Sequence, residues 1–334
     1  MAHASSLVSL LGKGVVLVFG GRLDVHANMH RADQSVIAAR DSNNLWISTA
    51  VFACPHYLFT KVFHMYKIYD TVDEVARYTA QRLLNRIQAR PDPVLGLATG
   101  STMEPVYAQL ITELRKTPVD LSRLTTFNLD EYIGLDGSHA QSYRYYMCQN
   151  LFNKVNIAQD RVHLPDGLVE DVEGACQAYS ATIKALGGLD LQLLGIGSNG
   201  HIGFNEPHTC FSSRTHVVRL SEQTRIDNGR FFSTRAEVPT HALTLGIQDI
   251  LEAKEILLVA TGRNKARIMA ELFHTPVDEA LPASALKLHS NVTIVLDREA
   301  AAQLPPQVSS GGGLAAAVAG PEISMAEGAV ASTK

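Results

Sequence analysis

The chain has 334 residues, 46% of them hydrophobic and 19% charged, the balance of a globular protein that can bury a sizeable core. A formal net charge of -4 gives no electrostatic basis for binding nucleic acid or a membrane surface, and no stretch approaches the roughly 20 consecutive apolar residues of a membrane-spanning helix. The cysteines, Cys54, Cys148, Cys176 and Cys210, are scattered without a C-x-x-C pair, which argues against a disulfide framework or a cysteine zinc site and fits reduced thiols in the cytoplasm.

Residues 1–64 hold the only tryptophan, Trp46, and no sustained helical or alternating periodicity. The apolar run 7–21 is broken by Lys13 and has no basic segment before it, so it does not read as a secretion signal. This part is read as an N-terminal extension, with Met65 as the start of the folded domain and a candidate translation start. MYKIY at 65–69 alternates like a short strand. Thr71 and Glu74 then form a capping box ahead of an apolar face made by Val75, Ala76, Leu83, Leu84 and Ile87.

The run 94–98 is a predicted buried strand that enters Thr99, Gly100, Ser101 and Thr102. A helix follows, with Pro105 in its first turn and Val106, Leu110, Ile111 and Leu114 on one face. Strand, short hydroxyl-rich turn and helix direct free backbone N–H groups and a positive dipole end at an anion, although a plain capped turn reads the same way. The Walker spacing G-x-x-x-x-G-K is absent. LTTFNL at 124–129 is a further strand and delivers Asp130, Glu131 and Tyr132, whose two carboxylates are costly to bury unless they have a task. Tyr143, Tyr145 and Tyr146 open a helical stretch in which aromatic side chains read as packing. A helix over 172–186 ends at Gly187 and Gly188.

The chain is organised around residues 193–207, LLGIGSNGHIGFNEP. A short apolar run fits a buried parallel strand, and the glycine-rich loop after it presents Asn199, His201, Asn205 and Glu206. In open parallel sheets, ligands bind outside such strand ends. Residues 208–239, rich in Ser, Thr, Arg and His, are predicted to form a lid, within which Arg230 taken alone reads as a solvated charge. Strands are predicted at 241–245, 256–260 and 292–296. The second of these runs into Lys265, in the first turn of the next helix, where a cation opposes the dipole unless it holds a bound anion. Residues 301–334, rich in Gly, Ala, Ser and Pro, are predicted to be a disordered tail. The alternation over 65–300 predicts one α/β domain. Its architecture is a three-layer, mostly parallel Rossmann-like sheet, with helices on both faces and the lid over the carboxyl ends of the strands.

Several separated segments then converge: LATGST (97–102), TTFNLDEYIGL (125–135), GSNGHIGFNEP (197–207), SSRT (212–215), GRFF (229–232) and ATGRNKA (260–266). With these motifs in this order, the chain resembles the glucosamine-6-phosphate deaminase family from Met65 to about Asp297. The resemblance implies conversion of D-glucosamine 6-phosphate and water to D-fructose 6-phosphate and ammonia, in amino-sugar catabolism. It implies that Asp130 moves a proton between C2 and C1 of the open-chain sugar. His201 would assist ring opening, oriented or charged by Glu206 and Asn199. The sugar phosphate would rest on Thr99, Gly100, Ser101 and Thr102, clamped by Arg230 and Lys265. Neither a metal nor a cofactor is implied. The expected partner is a small sugar phosphate, with neither nucleic acid nor membrane; monomer and homo-oligomer both stay open, and the expected location is the cytoplasm.

One departure stands out. Many members carry Asp where this chain has Asn199, and an amide cannot hold a negative charge beside His201. An enzymatic alternative is a 6-phosphogluconolactonase-like hydrolase, which needs no base poised for C2. An alternative of another class is a non-catalytic sugar-phosphate sensor on the same fold, which would lack the base or the histidine.

Overall fold

The computed structural model describes residues 64–229 and 232–309, together with short strand segments between residues 7 and 52. The latter are β1 (Leu7–Leu11), β2 (Gly14–Val18), β3 (Asp24–Ala27), β4 (Gln34–Arg40) and β5 (Trp46–Phe52). β1 and β2 pair as an antiparallel hairpin, and β3, β4 and β5 continue one edge of the main sheet. The described chain then runs β6 (His64–Tyr69), α1 (Val72–Gln88), β7 (Val94–Leu97), α2 (Glu104–Lys116), β8 (Thr125–Asn128), β9 (Asp130–Tyr132) and α3 (Tyr143–Asn150). It continues with β10 (Val162–His163), α4 (Val172–Ala185), β11 (Leu191–Leu194), β12 (His216–Arg219), α5 (Glu222–Gly229) and β13 (His241–Thr244). Last come α6 (Ile247–Leu251), β14 (Ile256–Ala260), α7 (Ala266–His274) and β15 (Val292–Asp297).

The local rules that predict α1 are visible at its start. Thr71 Oγ1 accepts from the Glu74 N–H at 3.2 Å and Glu74 Oε2 accepts from the Thr71 N–H at 3.1 Å, so two otherwise orphaned donors are satisfied. Val75, Ala76, Leu83, Leu84 and Ile87 are all buried. At the end of α4, Gly187 and Gly188 take positive φ, which halts the helix.

The main sheet has the order β10-β8-β7-β11-β14-β15-β6-β5-β4-β3, with β10 through β6 mutually parallel. From β6 the chain steps to β7, β8 and β10 in one direction, then reverses through β11, β14 and β15. Because parallel crossovers are right-handed, the reversal moves the connecting helices from one face of the sheet to the other. α1 and α2 pack together on the first face. β7 and β11 are neighbours whose connections leave in opposite directions, so the switch point of the sheet lies between them. β7, β8, β11, β14 and β15 are buried at every position, as strands covered on both faces must be.

One predicted strand takes a place that its sequence does not assign, and one expectation needs correction. The strand at 241–245 does not join the parallel sheet: β13 pairs antiparallel with β9 and β12 in a separate three-stranded sheet. Both edges of β13 are occupied, one by β9 and the other by β12, so neither is open to a strand of the main sheet. The packed chain also runs beyond residue 300. Ala301, Leu304 and Val308 are buried in the main core, at the 3- and 4-residue spacing of a helical apolar face. The rest of the predicted tail lies outside the described residues. Among the described residues no helix is long and apolar enough to cross a membrane.

Candidate active site

Four adjacent strands, β8, β7, β11 and β14, end at one rim. After β8 comes Asp130; after β7, the turn at 99–102; after β11, the loop at 195–207; after β14, the turn that carries Lys265. The switch point thus brings together residues that are up to 166 positions apart (99 to 265).

The loop after β11 is built by its own backbone. The Gly197 N–H donates to the His201 carbonyl at 2.9 Å, and the Gly200 N–H to the Gly197 carbonyl at 3.1 Å. This fold lays the His201 ring over Gly197, where a Cβ would sit 2.2 Å from His201 Cε1. Only glycine allows that approach. Asn205, which the sequence groups with the chemistry, is wholly buried and donates to the carbonyls of Ile202 and Leu245 at 2.9 and 2.8 Å. It is a staple between the loop and β13. The Phe204 N–H donates to Thr244 Oγ1 at 3.0 Å, and the Leu245 N–H to the Leu129 carbonyl at 2.6 Å. The small sheet therefore fastens the histidine loop to the residue just before Asp130.

Asp130 is buried against that loop: a Cβ on Gly203 would lie 3.5 Å from Asp130 Oδ2. No described residue donates a hydrogen bond to its carboxylate. Burial, and secondarily the charge of Glu131, push its pKa up to about 8. Glu131 has a different task. Its carboxylate accepts from the backbone N–H groups of Tyr132, Tyr143 and Arg144, each at 2.9 Å, and so caps the start of α3. Burial raises its pKa, while those three N–H groups pull the other way.

His201 faces a carboxylate despite the amide at position 199. Glu206 Oε2 lies 3.9 Å from His201 Nδ1 and accepts from Asn199 Nδ2 at 2.7 Å. Asn199 Oδ1 in turn accepts from the His201 N–H at 3.2 Å. Asn199 is therefore a clasp between the two, and the negative charge beside the imidazole comes from Glu206. The other oxygen, Oε1, accepts from the hydroxyl of Thr224 and from the Ser221 N–H at 3.3 Å. Sequence reasoning passed over Ser221 and Thr224. Their signal was present, a hydroxyl pair three residues apart at the start of a helix, but nothing local links it to Glu206.

The turn after β7 has Gly100 at φ +105° with open space where a Cβ would stand, so conformation requires the glycine here. The Gly100 carbonyl accepts from the Met103 N–H at 2.9 Å and from the Tyr146 hydroxyl at 2.8 Å. No side chain caps the first turn of α2, and Thr99, Gly100, Ser101 and Thr102 are exposed or half-buried. Their N–H groups and hydroxyls are available to an anion. Lys265 ends the turn after β14, and its Nζ donates to the Ile196 carbonyl at 2.7 Å, at the exit of β11. Arg230 lies outside the described residues. Among the described residues no group of three or more His, Cys, Asp or Glu side chains could hold a metal ion.

The comparisons with known proteins agree on this region. The family model described as glucosamine-6-phosphate isomerases/6-phosphogluconolactonase matches residues 68–295. A glucosamine-6-phosphate deaminase of Shouchella clausii is 51% identical over 229 residues, covering 69% of this chain and 93% of that protein. A solved structure described as a monomeric glucosamine-6-phosphate deaminase superposes with a TM-score of 0.70 at 45% identity, over 71% of this chain and 99% of that one. The 6-phosphogluconolactonase of Trypanosoma brucei shares the fold at 22% identity, with a TM-score of 0.59 over 72% of this chain and 98% of that one.

Proposed function

The chain belongs to the glucosamine-6-phosphate isomerase/6-phosphogluconolactonase family, and we propose that within it the chain converts D-glucosamine 6-phosphate and water to D-fructose 6-phosphate and ammonia. The observation that carries this reading is Asp130: a buried carboxylate with no hydrogen-bond donor among the described residues, set against the His201 loop at the switch point. Such a group is a strong base for a carbon acid, since burial and Glu131 raise its proton affinity toward the working pH.

In this reading His201 passes a proton between the anomeric hydroxyl and the ring oxygen, opening the sugar, with Glu206 and Asn199 setting the ring's orientation. Asp130 then takes the proton from C2 of the open-chain aldehyde and returns it to C1. The product is an imine at C2. Water adds to that carbon and ammonia leaves, giving the ketose. The phosphate rests on the N–H groups and hydroxyls of 99–102 at the start of α2, with Lys265 and Arg230 as its cationic partners. A cytoplasmic location and a monomeric state belong to the same reading. The scattered cysteines support the first, and the monomeric relative supports the second.

The experiment is an incubation of the purified protein with glucosamine 6-phosphate, assaying ammonia and fructose 6-phosphate, beside an incubation with 6-phosphogluconolactone. Stoichiometric ammonia and ketose are expected. Lactone hydrolysis without ammonia release would assign the chain to the other branch of the family, and activity on neither would favour a sensor.

A further inference from the structure

Glu206 is held from two sides, and only one of them belongs to its own loop. On the loop side, Oε2 takes the Asn199 amide at 2.7 Å and lies 3.9 Å from His201 Nδ1. On the other side, Oε1 takes the Thr224 hydroxyl and the Ser221 N–H, both from the start of α5. Thr224 is 3% exposed and Glu206 8%, so no bulk water replaces these donors.

The direction of the bonds is settled by the chain of hydroxyls. Ser221 Oγ accepts from the Thr224 N–H at 3.1 Å, capping α5, and donates to Thr224 Oγ1 at 3.0 Å. The carboxylate oxygen Glu206 Oε1 can only accept, so the single proton of Thr224 Oγ1 points to it. The positive end of α5 faces the same oxygen and favours the anion there. If Oε1 were released, the carboxylate could turn about its Cγ–Cδ bond, and the 3.9 Å relation of Oε2 to the imidazole would no longer be fixed.

We propose that Thr224 is a positioning residue for the reaction, holding Glu206 from α5 so that its second oxygen faces Asn199 and His201. Thr224 touches neither His201 nor any atom assigned to the substrate. It acts on the ring-opening step through Glu206. This rests on the deaminase reading above.

The test compares Thr224→Val, which keeps the shape and removes the hydroxyl, with Thr224→Ser, which keeps the hydroxyl. Three quantities are measured: kcat and KM for ammonia release from glucosamine 6-phosphate, affinity for glucitol 6-phosphate, and melting temperature. Glucitol 6-phosphate is acyclic, so its binding needs no ring opening and reports the phosphate and sugar-chain contacts alone. Removing a charge-assisted hydrogen bond should lower kcat about tenfold to a hundredfold in Thr224→Val. KM and glucitol 6-phosphate affinity should stay within about twofold, and Thr224→Ser should recover most of the native kcat. Retained kcat in Thr224→Val would overturn the proposal. So would an equal loss of kcat and glucitol 6-phosphate affinity, or a loss that serine does not restore, since either marks a merely structural role. Should Thr224→Val not fold, Thr224→Ala carries the same comparison. A native protein that releases no ammonia would overturn the functional reading first, and this proposal with it.

Discussion

The two sheets of the molecule hold the site in different ways. In the parallel sheet, β7, β11, β14 and β15 are buried along their whole length, and their apolar side chains do nothing but fix where each strand ends. In the small antiparallel sheet, β12 alternates half-buried and exposed residues, and its minor core is Tyr132, Phe204, Leu220 and Ala242. The large sheet supplies position. The small sheet supplies electrostatics, since β9 begins with the buried Asp130, and α5, next in the chain after β12, holds Glu206. Position is thus built from burial, which tolerates apolar exchange, whereas the charges depend on a few individual donors.

Breaking the electrostatic region should cost activity before stability, and the largest effect is expected at Asp130. Asp130→Asn keeps the shape and removes the base, so turnover should fall about 10²–10⁴-fold while glucitol 6-phosphate still binds. Near-normal ammonia release by this variant would remove Asp130 from the mechanism. The same substitution should stabilise the fold at alkaline pH. Asp130 has a folded pKa of about 8 against an ordinary 3.8. Its contribution is therefore fully present below about pH 4 and is lost as pH rises through about 8. Relative to native protein, Asp130→Asn should gain melting temperature progressively from about pH 4 to about pH 8 and level off above it, at a ceiling of about 6 kcal/mol. The two proteins should melt together below pH 4. In the native enzyme turnover should rise with pH through the same range, as the base ionises. A melting difference that does not depend on pH would contradict the burial argument.

Glu131→Gln reverses the balance between activity and stability. The carboxylate that accepts three backbone N–H groups becomes an amide with one acceptor oxygen and a donor facing donors. A loss of about 1–3 kcal/mol, seen as a melting temperature lower by about 3–10 °C, is expected with a smaller loss of turnover than Asp130→Asn. If Glu131→Gln proved the more damaging to turnover at unchanged stability, the division of labour between the two neighbours would be inverted.

The smallest effect is expected from removing residues 1–64. The family match starts at residue 68, and 229 aligned residues cover 93% of the Shouchella clausii protein. A chain beginning at Met65 leaves β6 as the edge of the sheet, with Lys67 on it, and charged edge strands are tolerated. Activity within about twofold of full length is expected, with melting within a few degrees. A melting temperature lower by about 10 °C or more would mean that β5 stabilises β6.

Much of the fold follows from local rules. The capping box at Thr71 and Glu74, the double-glycine stop at 187–188 and the wholly apolar strands each depend on neighbours a few residues away, and each lies where its pattern placed it. The partition of 208–245 does not follow in that way. β12, α5 and β13 are short, and an isolated strand carries no mark that tells which sheet it joins.

By itself, the sequence determined that loops rich in glycine and hydroxyls follow buried strands, that Asn199, His201 and Glu206 stand in such a loop, and that Asp130 stands at a strand end, because strand ends and turns are written in nearest-neighbour chemistry. Only the tertiary structure decided which acid is which. Asp130 and Glu131 are adjacent and chemically alike; their roles diverge because α3 brings two N–H groups to one carboxylate, beside that of Tyr132, and none to the other. The same holds for the charge beside His201. That a glutamate five residues on supplies it, secured through Asn199 on one oxygen and Thr224 on the other, depends on α5 folding back onto the loop. Burial and hydrogen bonding are properties of surroundings, and no residue carries its surroundings in its own name.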